Sequence, residues 1–191
     1  MKILVINGGS SSLKCWFSDL PDSPLPMAAQ QPHWSAHADW SHHSGIAEVQ
    51  IKRSDGATAQ RQLQVDAPVA VLEPVLELLW KGDAKVIGGP SDIDVVGHRI
   101  VHGGPKFRES TALTADVRSA IAQQVEFAPA HNRFELEAIE AIDHVLAHHM
   151  PLRDADFLAD FSLQFGESKG KTIKGIYRLD GENLLDRKSV V

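Results

Sequence analysis

Short apolar runs separated by turn signals fill the first third of the chain, and helical periodicity takes over after it. Ile3 to Asn7 is a continuous, largely β-branched run closed by Gly8-Gly9, which predicts a strand. Leu13 to Ser18 predicts a second strand, with Asn7 to Ser12 as the turn of a hairpin. Pro21, Pro24 and Pro26 then interrupt regular structure. Residues 33–40 alternate as an exposed strand would, with Trp34, Ala36, Ala38 and Trp40 in phase. Ala47 to Lys52 and Gln60 to Val65 read as a strand and its return around the turn Ser54-Asp55-Gly56.

From Val69 to Trp80 the apolar positions Val71, Val75, Leu78 and Leu79 fall at helical spacing. Pro74 sets the start near Glu73 or kinks the helix there. Asp94 to Val101 predicts another buried strand. Thr114 with Asp116 offers a helix start for a face of Val117, Ala120, Ile121 and Val125. A last helix is expected from about Arg133 to His148, with a stripe of Leu136, Ile139, Ile142, Val145 and Leu146. Strands first, then helix, strand, helix, helix predict an α/β layer whose helices cover a mixed sheet. After Pro151 the stripe is lost. Thr172 to Leu179 reads as a short strand and Asp180-Gly181 as a turn.

Composition narrows the class. The 191 residues are 43% hydrophobic and 23% charged, enough for a buried core, and the net charge of −6 argues against binding nucleic acid by neutralising phosphates. No apolar run approaches the roughly 20 residues of a membrane span. The polar turn after five apolar residues does not read as a signal sequence, so a cytoplasmic protein is expected. The single cysteine, Cys15, fits a reducing compartment. His33, His37, His42 and His43 crowd one segment without cysteines or a recognised zinc spacing, and no metal site is expected there.

Three short stretches carry candidate chemistry. In Asn7-Gly8-Gly9-Ser10-Ser11-Ser12-Leu13-Lys14 the glycines allow positive φ and let backbone N–H groups approach an anion. The serines add hydroxyl donors, Lys14 a point charge suited to phosphate, and Asn7 a carbonyl that could orient a hydrated Mg²⁺. An ordinary tight hairpin would use the same residues. In Gly97-His98-Arg99-Ile100-Val101-His102-Gly103-Gly104 an arginine sits on a buried-looking strand and needs an anion partner. Its planar fork matches a carboxylate or phosphate. Val101, two residues on, shares its face if the strand is regular, so the pair would suit a small acid. The alternative is a structural ion pair with Asp92 or Asp94. His98 and His102 read as packing residues. In Phe127-Ala128-Pro129-Ala130-His131-Asn132 a histidine at a helix entry could donate to a transferring phosphoryl group. Capping by Asn132 is the alternative.

Together, in this order and spacing, the three stretches resemble the acetate kinase family over residues 1 to about 152, the amino-terminal part of a longer enzyme. The resemblance implies an α/β domain of the actin and sugar-kinase (ribonuclease H-like) fold, truncated here. It also implies reversible transfer of the γ-phosphoryl of ATP to acetate, giving acetyl phosphate and ADP. By resemblance His131 and Arg99 would be catalytic, and Arg99, Val101 and Ala130 would bind the acid. Ser10, Ser12 and Lys14 would act at the ATP phosphates, Asn7 would help hold Mg²⁺, and the intact family would form a homodimer.

The departures from the family pattern matter. Ala130 stands where the family has leucine, which could admit a longer acid such as propionate, and Arg133 stands where it has proline. The family's catalytic aspartate follows in a strand, and Asp160 in Phe157-Leu158-Ala159-Asp160-Phe161-Ser162 is the nearest candidate. Residues 153–191 read as an unrelated or aberrant tail of chimeric origin. The chain is therefore expected to be inactive alone. A non-catalytic domain binding a small acid or phosphate is the alternative function, as is a propionate-type kinase.

Overall fold

The computed structural model describes residues 1–21, 31–108, 110–127, 129–147, 157–160, 178–180 and 183–185. Of Ala130, Ala147 and the strands beyond residue 156 it gives the backbone only. The predicted strand at 172–179 therefore lies outside the described residues except for its last two.

Five strands form an antiparallel meander: β1 (Lys2–Gly8), β2 (Ser12–Asp19), β3 (Trp34–His43), β4 (Ile46–Arg53) and β5 (Thr58–Gln64). β6 (Val95–Arg99) then adds in parallel to β1, and β8 (Phe157–Asp160) in parallel to β6. The two-residue β7 (Thr111–Ala112) closes the edge, antiparallel to β8. The mixed sheet has the order β5-β4-β3-β2-β1-β6-β8-β7, and β9 (Arg178–Asp180) and β10 (Asn183–Leu185) pair separately. The meander was legible in the sequence because β1 to β4 bury alternate residues, as a sheet with one covered face requires.

Leu4 and Ile6, Leu13, Cys15 and Phe17, Trp34, Ala36 and Ala38, and Ala47, Val49 and Ile51 all lie in the core. β3 therefore does not run exposed, since Trp34, Ala36 and Ala38 are buried beneath the helices. A 3-10 turn at Pro68–Val71 leads into α1 (Leu72–Trp80), and Pro74 falls in its first turn, where a missing N–H costs no helical bond. α1 buries Leu72, Val75, Leu76 and Leu79.

α2 (Ala115–Gln123) is capped by Thr114, whose hydroxyl accepts from Val117 N at 3.4 Å. Val125, expected on its face, lies past its end. α3 (Pro129–Ala147) packs on α1, α2, β1 and β6 and buries Ala138, Ile139, Ile142 and Leu146. It begins four residues before the predicted start, because Pro129 supplies a preset φ for a first turn. Among the described residues no helix is long and apolar enough to cross a membrane.

Candidate functional site

The first motif makes a tighter turn than its sequence predicts. Asn7 pairs with Lys14 and Gly8 with Leu13 in the ladder, so only residues 9–11 turn the chain. Gly9 N donates to Ser12 O at 2.8 Å. Among the described residues the glycines with left-handed φ are Gly45, Gly56, Gly82 and Gly104, so neither Gly8 nor Gly9 owes its identity to positive φ. Gly8 is required for another reason: a Cβ there would overlap the Phe134 ring at Cε1 and Cδ1. Phe134 lies on α3, and its ring centroid is 5.7 Å from that of Trp40. Trp40 in turn holds the turn from β3, with Nε1 donating to Ser10 O and its backbone N to Ser11 O, both at 3.1 Å. The turn is thus clamped from two distant elements while Ser10, Ser11 and Lys14 stay exposed and Ser12 is half-buried.

The second motif stands beside it, at the end of β6. The parallel register pairs Ile6 with His98, so the next residue, Arg99, comes level with Asn7. Paired residues share a face. Lys14, Asn7 and Arg99 therefore form a row on the sheet face opposite α1 and α3, where Leu4, Ile6 and His98 point. β8 extends the row, since Arg99 pairs with Asp160. The proposed ion pair of Arg99 with Asp92 or Asp94 does not fit this layout. Both aspartates sit before β6, at its other end. There Asp92 lies 3.8 Å from Lys2 Nζ and accepts from Gly88 N, and Asp94 accepts from Lys2 N.

Val101 departs from expectation as well. β6 ends at Arg99, so Val101 is not two positions along the same strand. Its N–H donates instead to both carboxylate oxygens of Glu135, at 3.1 and 3.0 Å. One residue on, His102 O accepts from Asn132 Nδ2 at 2.8 Å, and His102 Nδ1 accepts from Gly104 N at 3.0 Å. Gly104 needs its glycine, with φ of 69°. Asn132 is inside α3 and does not cap it. Its amide braces the chain leaving β6. The start of α3 thus reaches the second motif through helix side chains one turn apart, Asn132 and Glu135, and His131, half-buried, directly precedes the first of them.

Two buried titratable groups flank the site. Burial pushes the Glu135 carboxyl up to about 7, opposed by the Val101 N–H and the Arg99 charge. Burial, helped by the Arg118 charge, brings the His98 imidazole down to about 3, consistent with a packing role. Sequence reading missed Glu135, although a signal was present. It sits at the spacing of Ile139, Ile142 and Leu146, so a carboxylate occupies the helix's buried stripe. Two open grooves of about 690 Å³ lie elsewhere, one lined by Lys2, Arg53 and Asp92, the other by His37, Asp39 and Gln60. Neither is lined by the three motifs, whose row of Lys14, Asn7 and Arg99 makes a wall at the carboxyl ends of β1 and β6.

Comparison with known proteins identifies the family. The sequence model of the Acetokinase family matches residues 2–162, a span that takes in β8. An acetate kinase of Nostoc punctiforme is 46% identical over 146 residues, covering 76% of this chain and 36% of that protein. One from a Cyanothece species is 44% identical, covering 75% of this chain and 35% of that protein. The chain spans about a third of the length of these curated relatives.

Among solved structures, an acetate kinase of Porphyromonas gingivalis superposes with a TM-score of 0.67 at 24% identity, over 83% of this chain and 36% of that one. A propionate kinase of Francisella tularensis gives 0.62 at 24% identity, with the same coverage. These likenesses establish the actin and sugar-kinase-like α/β fold. By the match over most of its length, the chain belongs to the acetokinase family.

Proposed function

We propose that residues 1–160 form the acid- and phosphate-binding wall of a carboxylate kinase, which transfers the γ-phosphoryl of ATP to acetate. The observation that carries this reading is the row Lys14, Asn7, Arg99 at the carboxyl ends of β1 and β6, with the start of α3 braced against it. Ligands of open α/β sheets bind at that end of the strands.

In this reading the Arg99 fork takes the acetate carboxylate and Val101 lines the methyl side. Ser10, Ser12 and Lys14 meet the nucleotide phosphates. An acetate oxygen forms the new bond to the γ-phosphorus as the bond to ADP breaks, and ADP leaves with that electron pair. His131, in the first turn of α3, donates to the phosphoryl oxygens as charge spreads over them. A Mg²⁺ ion keeps most of its waters and needs only one or two protein oxygens, so the Asn7 amide suits it. When bound, the metal neutralises phosphate charge. Cys15 takes no part, since its thiol is buried and burial pushes its ionisation up. A cytoplasmic setting and a dimer of the intact protein accord with this reading.

Positioning alone does not close a cleft, and the chain spans about a third of its relatives. The purified chain given ATP, Mg²⁺ and acetate is therefore expected to yield no acyl hydroxamate above background in the hydroxylamine assay. Product well above background would show that the second wall is dispensable.

The acid preference is a finer matter. Ala130 sits in the first turn of α3, beside His131. If its small side chain makes room, Ala130→Leu lowers propionate binding several-fold relative to acetate in titration calorimetry. Equal effects on the two acids would contradict that reading. A non-catalytic acid-binding domain predicts the same acetate binding with no transfer even when the rest of a relative's chain is supplied.

A further inference from the structure

We propose that Glu135 is a positioning residue of the acid pocket: from the buried stripe of α3 its two carboxylate oxygens hold the Val101 peptide and so fix the chain that leaves Arg99. The inference rests on the assignment of Arg99 and Val101 to the acid, and the experiment below separates the two.

A carboxylate is an expensive choice at this position. Glu135 is only 2% exposed, and it lies in line with Ile139, Ile142 and Leu146, where an apolar side chain would pack without a desolvation cost. What it touches is the peptide N–H of Val101, at 3.1 and 3.0 Å. Without that acceptor, a half-buried backbone donor just past the end of β6 would lose its partner.

The brace is double. Asn132, one turn earlier on the same helix, holds the next residue through His102 O at 2.8 Å. Two successive residues after Arg99 are thus tied to one rigid element, which also carries His131. Arg99 is the charged side chain whose field acts on Glu135. A bound acid anion draws on the same arginine. α3 therefore sets the distance between the acid site and His131 as a single body, as preorganised sites require.

The test is titration of sodium acetate into the ¹⁵N-labelled chain, read at the Val101 amide and the Arg99 side chain by NMR. Three forms are compared: unmodified, Glu135→Gln and Glu135→Leu. Glutamine keeps an acceptor for the Val101 N–H, so its acetate affinity stays within about threefold of the unmodified chain. Leucine keeps the bulk and loses the acceptor, so its affinity falls about tenfold or more. The Ser10 to Lys14 signals stay in place in all three, which reports an intact hairpin. Unchanged acetate affinity in a folded Glu135→Leu chain overturns the proposal.

If the leucine variant does not fold, the unmodified chain decides. The Val101 amide shift follows the titration of Glu135, and saturating acetate moves its midpoint upward by engaging Arg99. A midpoint indifferent to bound acetate overturns the proposal. Acetate that moves neither reporter in the unmodified chain instead overturns the assignment of Arg99 and Val101 to the acid.

Discussion

Gly8→Ala is expected to destabilise the chain by about 2 kcal/mol or more, although it adds one methyl group to a strand that tolerates alanine. The added Cβ would occupy the space of the Phe134 ring. That ring is buried in the core and packs against Trp40, with centroids 5.7 Å apart, which restricts its movement. The effect should vanish in the right background. Phe134→Ala alone opens a cavity and costs about 3 kcal/mol. Adding Gly8→Ala to it should cost little more, leaving a coupling of about 1.5 kcal/mol or more in a urea double-mutant cycle. Strict additivity would mean that the ring does not lie over Gly8. The same cycle tests the brace between the β1–β2 turn and the start of α3, because Phe134 packs over Gly8.

The second large effect is a change in how stability depends on pH. Glu135 ionises near its ordinary 4.5 in the unfolded chain and at about 7 in the folded one. Between those values the folded state carries a proton that the unfolded state has released, so rising pH favours unfolding. Glu135→Gln removes this term. The variant's stability relative to the unmodified chain should therefore grow by about 3 kcal/mol from pH 4.5 to pH 8, and level off above pH 7.

His98 acts in the opposite sense. Its folded value of about 3 lies below the ordinary 6.5, so between them the unfolded chain holds the extra proton and rising pH favours folding. In the unmodified chain the two slopes offset each other between pH 4.5 and 6.5. The variant exposes the histidine slope as a rise in stability over that interval. Urea midpoints across this range read both effects, and a gap that stays constant with pH would show that Glu135 is not buried as a carboxyl group.

Gly8 and Val101 mark where the sequence stops being legible. The strands of the meander were readable because alternation, turn residues and burial are local and agree with one another. The three motifs were readable as chemistry for the same reason, each being contiguous. What could not be read was why Gly8 is glycine. Its neighbours point to backbone freedom, yet the decisive atom belongs to Phe134, 126 residues away, and only packing brings it there. Val101 failed similarly. Alternation along an assumed strand put it on the face of Arg99, whereas Glu135 takes its N–H and ends the ladder. Asn132 looked like a cap because asparagine before a helical stripe usually is one. Pro129 starts the helix earlier and frees that amide for His102 O. Glu135 itself was within reach, since a lone carboxylate in an apolar stripe is the kind of inconsistency that marks a site.

The proposed acid-binding wall stands or falls on Arg99. Isothermal titration of acetate into the unmodified chain and into Arg99→Ala measures it most directly. Weak binding by the unmodified chain is predicted, because an open wall leaves the ligand partly hydrated. Loss of that binding by about tenfold or more is predicted for the variant, since a charge-assisted fork is removed. Equal acetate affinity in the two chains would contradict the assignment of this wall to a carboxylate substrate.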